Sequence, residues 1–315
     1  MSDVGDPAPC KICGLTAPMS HRRAPSSDPR LSPQATYDLA GCSRCGSEFI
    51  VGDRYGTSEA LYRGGTYAQS RPGLNGFLEP LRKLADRERM RHVESLGRSA
   101  RVLEVGAGDG RFAAALAARQ LTVVAIDPAA GPEDEGVERV TLEDLSPASG
   151  SFDAAIFWHV LEHVADPEAA LRRVHGLLAP GGRAVIAVPN LASLQSRIGR
   201  DQWFHQDLPR HRTQFTRQGL LALLERCDFT IARVRAFSVD QNLLGMWQTI
   251  LNRATRQNNV AFRWLKGDLG WKDAPRDAAV TIILGPLLVF PALLLEGTAL
   301  LGKRGGSTIV EAIAR

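Results

Sequence analysis

The pattern of apolar and polar positions in the middle of the chain predicts strands that alternate with helices. Short apolar runs predict strands, and the amphipathic or alanine-rich segments between them predict helices that begin near residues 111 and 167. A further amphipathic helix over 77–96 leads into this region. The strands are expected at 102–105, 121–127, 137–140, 153–158 and 183–188. Such an order is typical of an α/β protein with a parallel sheet.

Two more strands are predicted beyond this region, at 229–237 and 307–315, and about seventy residues separate them. Within that insertion, residues 243–254 place apolar side chains on one helical face and polar ones on the other. Farther on, residues 278–295 form a run of 18 residues without a charge. A run of this length could span a bilayer.

Topology favours a different arrangement of this apolar run. A single crossing would put the last strand on the opposite side of the membrane from the sheet that it completes. We therefore expect a re-entrant hairpin bent at Gly285, Pro286 and Pro291, or an interfacial element. Tryptophans and basic residues over 247–272 suit the headgroup layer of an anionic membrane, which predicts peripheral membrane contact through 238–306. The alternative is a buried helical pair that covers the sheet or forms a dimer interface.

Cysteine usage is concentrated near the start of the chain, in the two turns "CKICG" and "CSRCG". Four thiolates on two such knuckles predict a structural zinc site of the zinc-ribbon type. A redox pair would need a neighbouring βαβ pattern, and disulfides would need an oxidising compartment. No apolar signal region precedes the first cysteine, so we expect a cytoplasmic protein. The predicted zinc ligands are Cys10, Cys13, Cys42 and Cys45.

Length and composition are those of an ordinary globular protein of about two domains, with 315 residues, 44% hydrophobic and 23% charged. The net charge of +4 is mild, which argues against a dedicated nucleic-acid binder. Residues 17–34 read as a loop without helix or strand, and 55–76 as a linker. The predicted organisation is a ribbon module and linker at 1–65, a main domain at 66–237 plus 307–315, and an insertion at 238–306.

A glycine loop follows the first predicted strand of the main domain. Gly106, Gly108 and Gly110 allow the backbone to pass close to a ligand, and a helix N-terminus follows them. Asp127 ends the second strand, where its carboxylate could accept both ribose hydroxyls of a nucleoside. Glu143 and Asp144 could reach an adenine edge, although an acidic loop is often only solvated.

The order of four motifs resembles the class I S-adenosylmethionine-dependent methyltransferases. The motifs are "VLEVGAGDGRF", "VVAID", "FDAAIFWHVLEHVADP" and "LLAPGGRAVIAVPN". A nicotinamide dehydrogenase would need a different glycine spacing, because Arg111 stands in its third glycine position. The resemblance covers about 95–237 and the extreme C-terminus. It implies a Rossmann-like sheet of seven strands with a final antiparallel pair, after a small zinc-ribbon-like module, in a bacterial methyltransferase similar to those of ubiquinone or of surface glycans.

The resemblance also implies which residues bind S-adenosylmethionine. Glu104 and Gly106 are expected at the methionine end, and Gly108 at the close backbone approach. Asp127 is expected at the ribose. Gly110, Trp158, Glu143 and Asp144 complete the expected cofactor-binding set.

Histidines supply the candidate bases for methyl transfer to a protonated acceptor. His159 follows the fourth strand, and His205 and His211 lie in "WFHQDLPRHRTQFT" after the fifth, so all three are expected at the ligand-binding edge. His211 is the leading candidate. The alternative is that these histidines only support the fold.

The sequence therefore predicts a methyltransferase that acts on a small-molecule, saccharide or lipid-linked acceptor by in-line transfer. It is expected in the cytoplasm or at the inner face of the membrane. The alternative is a catalytically inactive protein that binds the cofactor or makes contacts through its zinc ribbon. An intact glycine loop and Asp127 favour the enzyme.

Overall fold

Seven strands form the central sheet of this protein. The computed structural model describes residues 3–27, 35–52, 72–131, 134–146, 148, 150–267 and 269–315. All strands of the sheet run parallel except the last, which pairs antiparallel with both neighbours, in the order β11-β12-β9-β8-β5-β6-β7. The strands are β5 (Arg101–Val105), β6 (Thr122–Ile126), β7 (Val137–Glu138), β8 (Phe152–Trp158), β9 (Leu178–Pro189), β11 (Phe229–Arg235) and β12 (Ser307–Ala314). This confirms the predicted sheet and its antiparallel end.

Helices cover both faces of the sheet, because its central strands are apolar on both sides. Val102, Leu103, Ala154 and Ala155 are fully buried, as a parallel sheet requires. Asp166 begins one covering helix, since its side chain accepts a hydrogen bond from the Ala169 N–H. The helices are α1 (Pro72–Met90), α2 (Arg111–Ala117), α3 (Pro167–Leu177), α4 (Leu194–Gly199) and α5 (Arg217–Arg226).

A second sheet is built from the N-terminal part of the chain, in the order β1-β2-β3-β4-β10. Its last strand comes from the main domain, so the two sheets are joined by backbone pairing. The expectation of a loop at 17–34 is wrong for its first part, where Ala17, Met19 and Ala24 are buried against β3. Most of the expected linker lies outside the described residues. The strands are β1 (Asp3–Pro9), β2 (Thr16–Pro25), β3 (Thr36–Cys42), β4 (Glu48–Ile50) and β10 (Thr213–Gln214).

The insertion between β11 and β12 consists of three helices, α6 (Val239–Asn252), α7 (Val260–Lys266) and α8 (Pro275–Leu301). The expected bend at Gly285, Pro286 and Pro291 is absent, because α8 continues through both prolines. Trp247 of α6 supports it there, since its indole Nε1 donates to the Gly285 carbonyl at 2.8 Å. In the part of the chain that the structure describes, α8 alone is long and apolar enough to cross a membrane.

Candidate active site

The glycine loop leaves β5 at the carboxyl end of the sheet and turns sharply into α2. Gly106, Gly108 and Gly110 have φ values of 72°, 58° and 70°, a region that other residues rarely adopt. A Cβ atom on Gly106 would lie 2.4 Å from Cγ2 of Val160, whereas one on Gly108 would meet nothing within 4 Å. Gly106 is therefore needed for packing, and Gly108 borders open space.

Asp127 lies beside this loop, as the sequence predicts. Its Oδ2 accepts a hydrogen bond from the Gly108 N–H at 3.0 Å, and its Oδ1 accepts one from the Ala129 N–H at 2.8 Å. Burial raises the pKa of the Asp127 carboxyl, and the two N–H groups oppose that rise. The carboxylate thus fixes the loop and retains free lone pairs.

Glu104 lies under the glycine loop and is only 4% exposed. Its Oε2 has no hydrogen-bond partner among the described residues. Burial raises the pKa of Glu104 to about 8, against the opposing charge of Arg89. The site therefore holds a buried acid that a nearby cation would ionise. We call Glu104, Gly106, Gly108 and Asp127 the cofactor cradle.

The other residues that were expected to bind the cofactor differ from the cradle in their surroundings. Trp158 ends β8, with its Nε1 buried and unpartnered among the described residues. The Arg89 guanidinium of α1 lies 5.0 Å from the centre of the Trp158 ring, a neighbour that sequence reasoning missed. Glu143 and Asp144 are exposed, and Asp144 accepts a hydrogen bond from Thr141 at 2.7 Å. Their expected role at an adenine stays a prediction.

The structure brings the candidate histidines together beside the glycine loop. His159 directly follows Trp158 and precedes Val160, the residue packed on Gly106. The imidazole rings of His159 and His205 are parallel, 6.2 Å apart, and those of His163 and His211 lie 4.5 Å apart. Glu162, 1% exposed, lies among them. We call His159, Glu162, His163, His205 and His211 the histidine cluster.

Hydrogen bonds fix the orientation of several rings in the histidine cluster. The Nδ1 of His211 donates to the His205 carbonyl at 2.7 Å, and the Nδ1 of His163 donates to the Arg210 carbonyl at 3.2 Å. Each bond leaves Nε2 as the acceptor nitrogen of that ring. The Nδ1 of His159 lies 3.4 Å from Oε1 of Glu162.

Burial and mutual repulsion make this cluster electrostatically asymmetric. Burial, with the charge of His211 next, lowers the pKa of His163 to about 4, and burial lowers that of His205 to about 3. Burial alone would raise the pKa of Glu162, but the His159 imidazole, 3.4 Å away, and the other histidine charges lower it to about 2. At neutral pH, a carboxylate therefore faces neutral His163 and His205.

Two groups of residues at this site were not predicted. Glu162 and His163 with His211 place possible ligand atoms within 4.8 Å of one another and could hold a divalent cation. Asp207 and Arg210 form a buried ion pair, with Arg210 Nε 2.9 Å from Asp207 Oδ2. The crowding of charged residues and histidines into residues 205–212 was the available signal.

The four predicted zinc ligands converge as expected, with all four sulfur atoms within 4.8 Å of one another. Two Sγ–Sγ distances, from Cys10 to Cys45 and from Cys13 to Cys42, are both 3.9 Å. Four sulfurs around zinc at about 2.3 Å stand roughly 3.8 Å apart. The hydrogen bond from Cys45 lowers the pKa of Cys10 to about 5. The geometry thus fits a closed tetrahedral site.

This cysteine site is attached to α5 of the main domain. Arg226 Nη1 donates to the Ile12 carbonyl at 2.9 Å, and Ser47 Oγ accepts from the Thr216 N–H at 3.1 Å. Ile12 is fully buried against Gly219, where a Cβ would clash with Ser47. The ribbon therefore lies next to the segment that carries His205 and His211.

Comparison with known proteins gives concordant results. The family described as "Methyltransferase domain" matches residues 77–234. The ubiquinone biosynthesis O-methyltransferase of Ruegeria pomeroyi is 35% identical over 102 residues, which cover 29% of this chain and 41% of that protein. The enzyme of the same name from Xanthomonas axonopodis pv. citri is 40% identical over 106 residues, covering 29% and 44%. The chain thus spans about two fifths of the curated relatives it matches.

A solved structure of similar fold is the 1,6-didemethyltoxoflavin-N1-methyltransferase of Burkholderia thailandensis, with bound 1,6-didemethyltoxoflavin and S-adenosylhomocysteine. It is 23% identical, with a TM-score of 0.40, and the match covers 60% of this chain and 87% of that one.

Proposed function

Since the chain belongs to the family of S-adenosylmethionine-dependent methyltransferases, we propose that it is an active enzyme that methylates an amphiphilic small molecule. A lipid-linked sugar or an isoprenoid quinone has the required character. The observation that carries the proposal is the adjacency of the cofactor cradle and the histidine cluster, through the contact of Gly106 with Val160. One set of residues suits the methyl donor, and the other can receive a proton.

The residues of the cofactor cradle fit the chemistry of S-adenosylmethionine. When bound, this cofactor supplies an electrophilic methyl group on a sulfonium. Asp127 would accept the ribose hydroxyls, since its two backbone hydrogen bonds leave lone pairs available. Glu104 would bind the ammonium group, because a cation stabilises the ionised form of a buried carboxyl. The open space at Gly108 allows close backbone approach.

For the base, the geometry favours His159 over His211. Glu162 Oε1 faces the Nδ1 of His159, which holds the proton there and leaves Nε2 to accept one from the acceptor hydroxyl. The carboxylate then stabilises the imidazolium that forms. The Nδ1 of His211 donates to the carbonyl of His205, and its ring packs against that of His163. We therefore propose that His211 and His205 support the structure of the site and do not act as the base.

We also propose that Cys10, Cys13, Cys42 and Cys45 hold one structural zinc ion. All four ligands are protein thiols, so no coordination position remains for substrate. Metal analysis of the purified protein should give one zinc per chain, and Cys13→Ser should lose it. Cys227→Ser is the matched control, because Cys227 is also buried but lies outside the cluster. Equal zinc content in the two variants would refute the site.

The experiment that tests the function is calorimetric titration with S-adenosylmethionine. Asp127→Ala should weaken binding by roughly tenfold or more, which corresponds to one or two lost charge-assisted hydrogen bonds. Asp153→Ala is the control, since Asp153 also accepts a hydrogen bond from a backbone N–H, that of Arg101 at 2.7 Å. This contact lies at the amino ends of the strands, away from the glycine loop. A folded wild type that binds no cofactor would overturn the proposal.

Transfer itself is followed with S-adenosylmethionine labelled in its methyl group. The label should enter the lipid fraction of a bacterial extract, and His159→Gln should abolish this while leaving cofactor affinity unchanged. Label in the aqueous fraction alone would exclude an amphiphilic acceptor.

A further inference from the structure

Helix α8 has two faces of opposite character. Its inner face is buried and carries Asp277, Thr281, Gly285, Ala292, Glu296 and Ala299, which fall within roughly 100° of arc at 100° per residue. Its outer face carries large apolar side chains that are between 46% and 72% exposed along the middle of the helix. They are Ile282, Ile283, Leu287, Val289, Phe290, Leu293 and Leu294.

Polar contacts fasten the inner face to the protein along the whole length of α8. Near the start, Asp277 accepts the N–H groups of Arg256 and Gln257 at 3.1 and 2.9 Å. Near the end, Glu296 accepts from the Gln195 side chain at 2.9 Å and from the Gly306 N–H at 3.1 Å. Crossing a bilayer would break these contacts and leave two buried carboxylates without partners. The helix is therefore held sideways against the domain.

The outer face offers no polar side chain to a protein partner over its middle turns, whereas protein interfaces combine an apolar centre with polar groups. At 1.5 Å per residue, the residues from Ile282 to Leu294 make a continuous apolar strip about 20 Å long on a helix of about 40 Å. Pro286 and Pro291 lack an N–H, so the carbonyls of Ile282 and Leu287 lack their helical partners. Water at a membrane interface can satisfy such carbonyls, but the hydrocarbon centre cannot.

Basic residues mark both ends of the strip. Lys272 and Arg276 are exposed at its start, and Lys303 and Arg304 at its end. Trp271, beside the first pair, is 60% exposed. If two copies packed these faces together, basic ends would meet basic ends in either orientation, which disfavours a dimer. Anionic headgroups complement both ends at once.

We propose that α8 is an in-plane membrane anchor, which lies in the interface of an anionic bilayer with its outer face among the acyl chains. This deepens the peripheral contact and the amphiphilic acceptor proposed above, but it does not require methyl transfer. Helix α6 separates the anchor from the histidine cluster. A Cβ on Gly245 of α6 would lie 2.8 Å from His205 Nε2, and Trp247 contacts α8. The histidine cluster and the anchor therefore lie against the same helix, one helix apart.

The first test is flotation with vesicles of phosphatidylcholine and phosphatidylglycerol in equal parts. The wild type should float, and Phe290→Glu should reduce the floated fraction roughly tenfold, because an apolar ring that would enter the acyl layer is replaced by a negative charge. Leu15→Glu is the matched control, since Leu15 is 52% exposed on the ribbon. Equal flotation of Phe290→Glu and the wild type would overturn the proposal. So would a wild type that stays unbound and sediments as a dimer that Phe290→Glu dissociates.

The second test separates in-plane binding from spanning. All five native cysteines are buried, so a membrane-impermeant thiol reagent reports on introduced ones. Trp271→Cys and Leu301→Cys, at opposite ends of α8, should both react from outside the vesicles. Protection of one of them would show a spanning helix and refute the in-plane anchor. Cofactor titration of Phe290→Glu distinguishes this from a failure of the proposed function, because its affinity should equal that of the wild type.

Discussion

The cofactor cradle stands on two adjacent strands joined by one short helix, whereas the histidine cluster combines a turn after β8 with a segment about forty residues farther along the chain. In the cradle, backbone geometry dominates, through two glycines with positive φ and a carboxylate that accepts backbone N–H groups. In the cluster, buried side chains set one another's charge. Local backbone shape thus defines one half of the site, and tertiary packing defines the other.

Gly106→Ala should have the largest effect, because Gly106 links the two halves. Its φ of 72° is unfavourable for alanine, and the new Cβ would overlap Val160. Strain of about 1 to 2 kcal/mol adds to about 1 to 3 kcal/mol of overpacking. Denaturant unfolding should therefore show a loss of several kcal/mol in the free energy of unfolding.

Gly108→Ala sharpens this comparison, because its Cβ meets open space. At a φ of 58° it should lose only about 1 to 2 kcal/mol to backbone strain, without the overpacking, and it should weaken cofactor binding. Gly97→Ala, at a position with equally open surroundings and no positive φ, should change neither quantity. Equal stability of Gly106→Ala and Gly97→Ala would contradict the coupling through Val160.

Glu162→Gln should have the next largest effect, and only on the histidine cluster. Removing the carboxylate leaves the imidazolium of His159 without its counter-charge, so the rate of label transfer should fall by about ten- to a hundredfold. Cofactor affinity should stay within about twofold, since the cradle is untouched. Asp38→Asn, an exposed carboxylate paired with Arg23, is the control. A parallel loss of cofactor affinity would show that the two halves are not separable.

The contrast between local backbone shape and tertiary packing also decides what the sequence could predict. The strands, the glycine loop and Asp127 follow from patterns within about thirty residues, and the structure has them where predicted. The convergence of the four cysteines was also predicted from local spacing, while their role as zinc ligands stays a prediction. By contrast, β2 was missed because arginines and prolines obscure its alternation, and β10 is a two-residue strand that forms only against β4.

The arrangement of the insertion and of Glu162 could not be predicted for a related reason. Proline and glycine in α8 suggested a bend, but the contacts with Trp247, Gln195 and Gly306 that keep it straight come from distant segments. Glu162 was not predicted as a site residue. Its place in the site depends on burial among the imidazole rings of His205 and His211, which come from a distant segment. No local pattern encodes this burial.

The pH dependence of stability should differ in sign between the two halves. The raised pKa of Glu104, about 8 in the folded protein against 4.5, means that its contribution is complete below pH 4.5 and lost as pH rises to 8. The lowered pKa values of His163 and His205, about 4 and 3 against 6.5, mean the opposite. Their contribution is complete above pH 6.5 and lost as pH falls towards 4 and 3.

Unfolding of the cofactor-free protein between pH 5 and 8 checks this difference. Glu104→Gln should remove the fall in the free energy of unfolding that the wild type shows as the pH rises. The free energy of unfolding of the variant, relative to that of the wild type, should therefore increase by roughly 3 kcal/mol from about pH 5 to about pH 8. Parallel curves for the two proteins would mean that Glu104 titrates in its usual range.

Arg226→Ala should have the smallest effect. It tests whether the contact between the ribbon and α5 influences the cofactor cradle or the histidine cluster. The guanidinium donates to the Ile12 carbonyl and pairs with Glu168 at 2.7 Å, but it is about a third exposed. One hydrogen bond and one screened ion pair contribute about 1 kcal/mol together, so the midpoint of thermal unfolding should fall by only a few degrees. Cofactor affinity and zinc content should not change, because neither the cradle nor the cysteine thiols contact this side chain.

Arg23→Ala, which removes a more exposed ion pair with Asp38, is the control and should have less effect still. A large loss of cofactor affinity in Arg226→Ala would instead mean that the ribbon holds the histidine cluster and the cradle in register through α5.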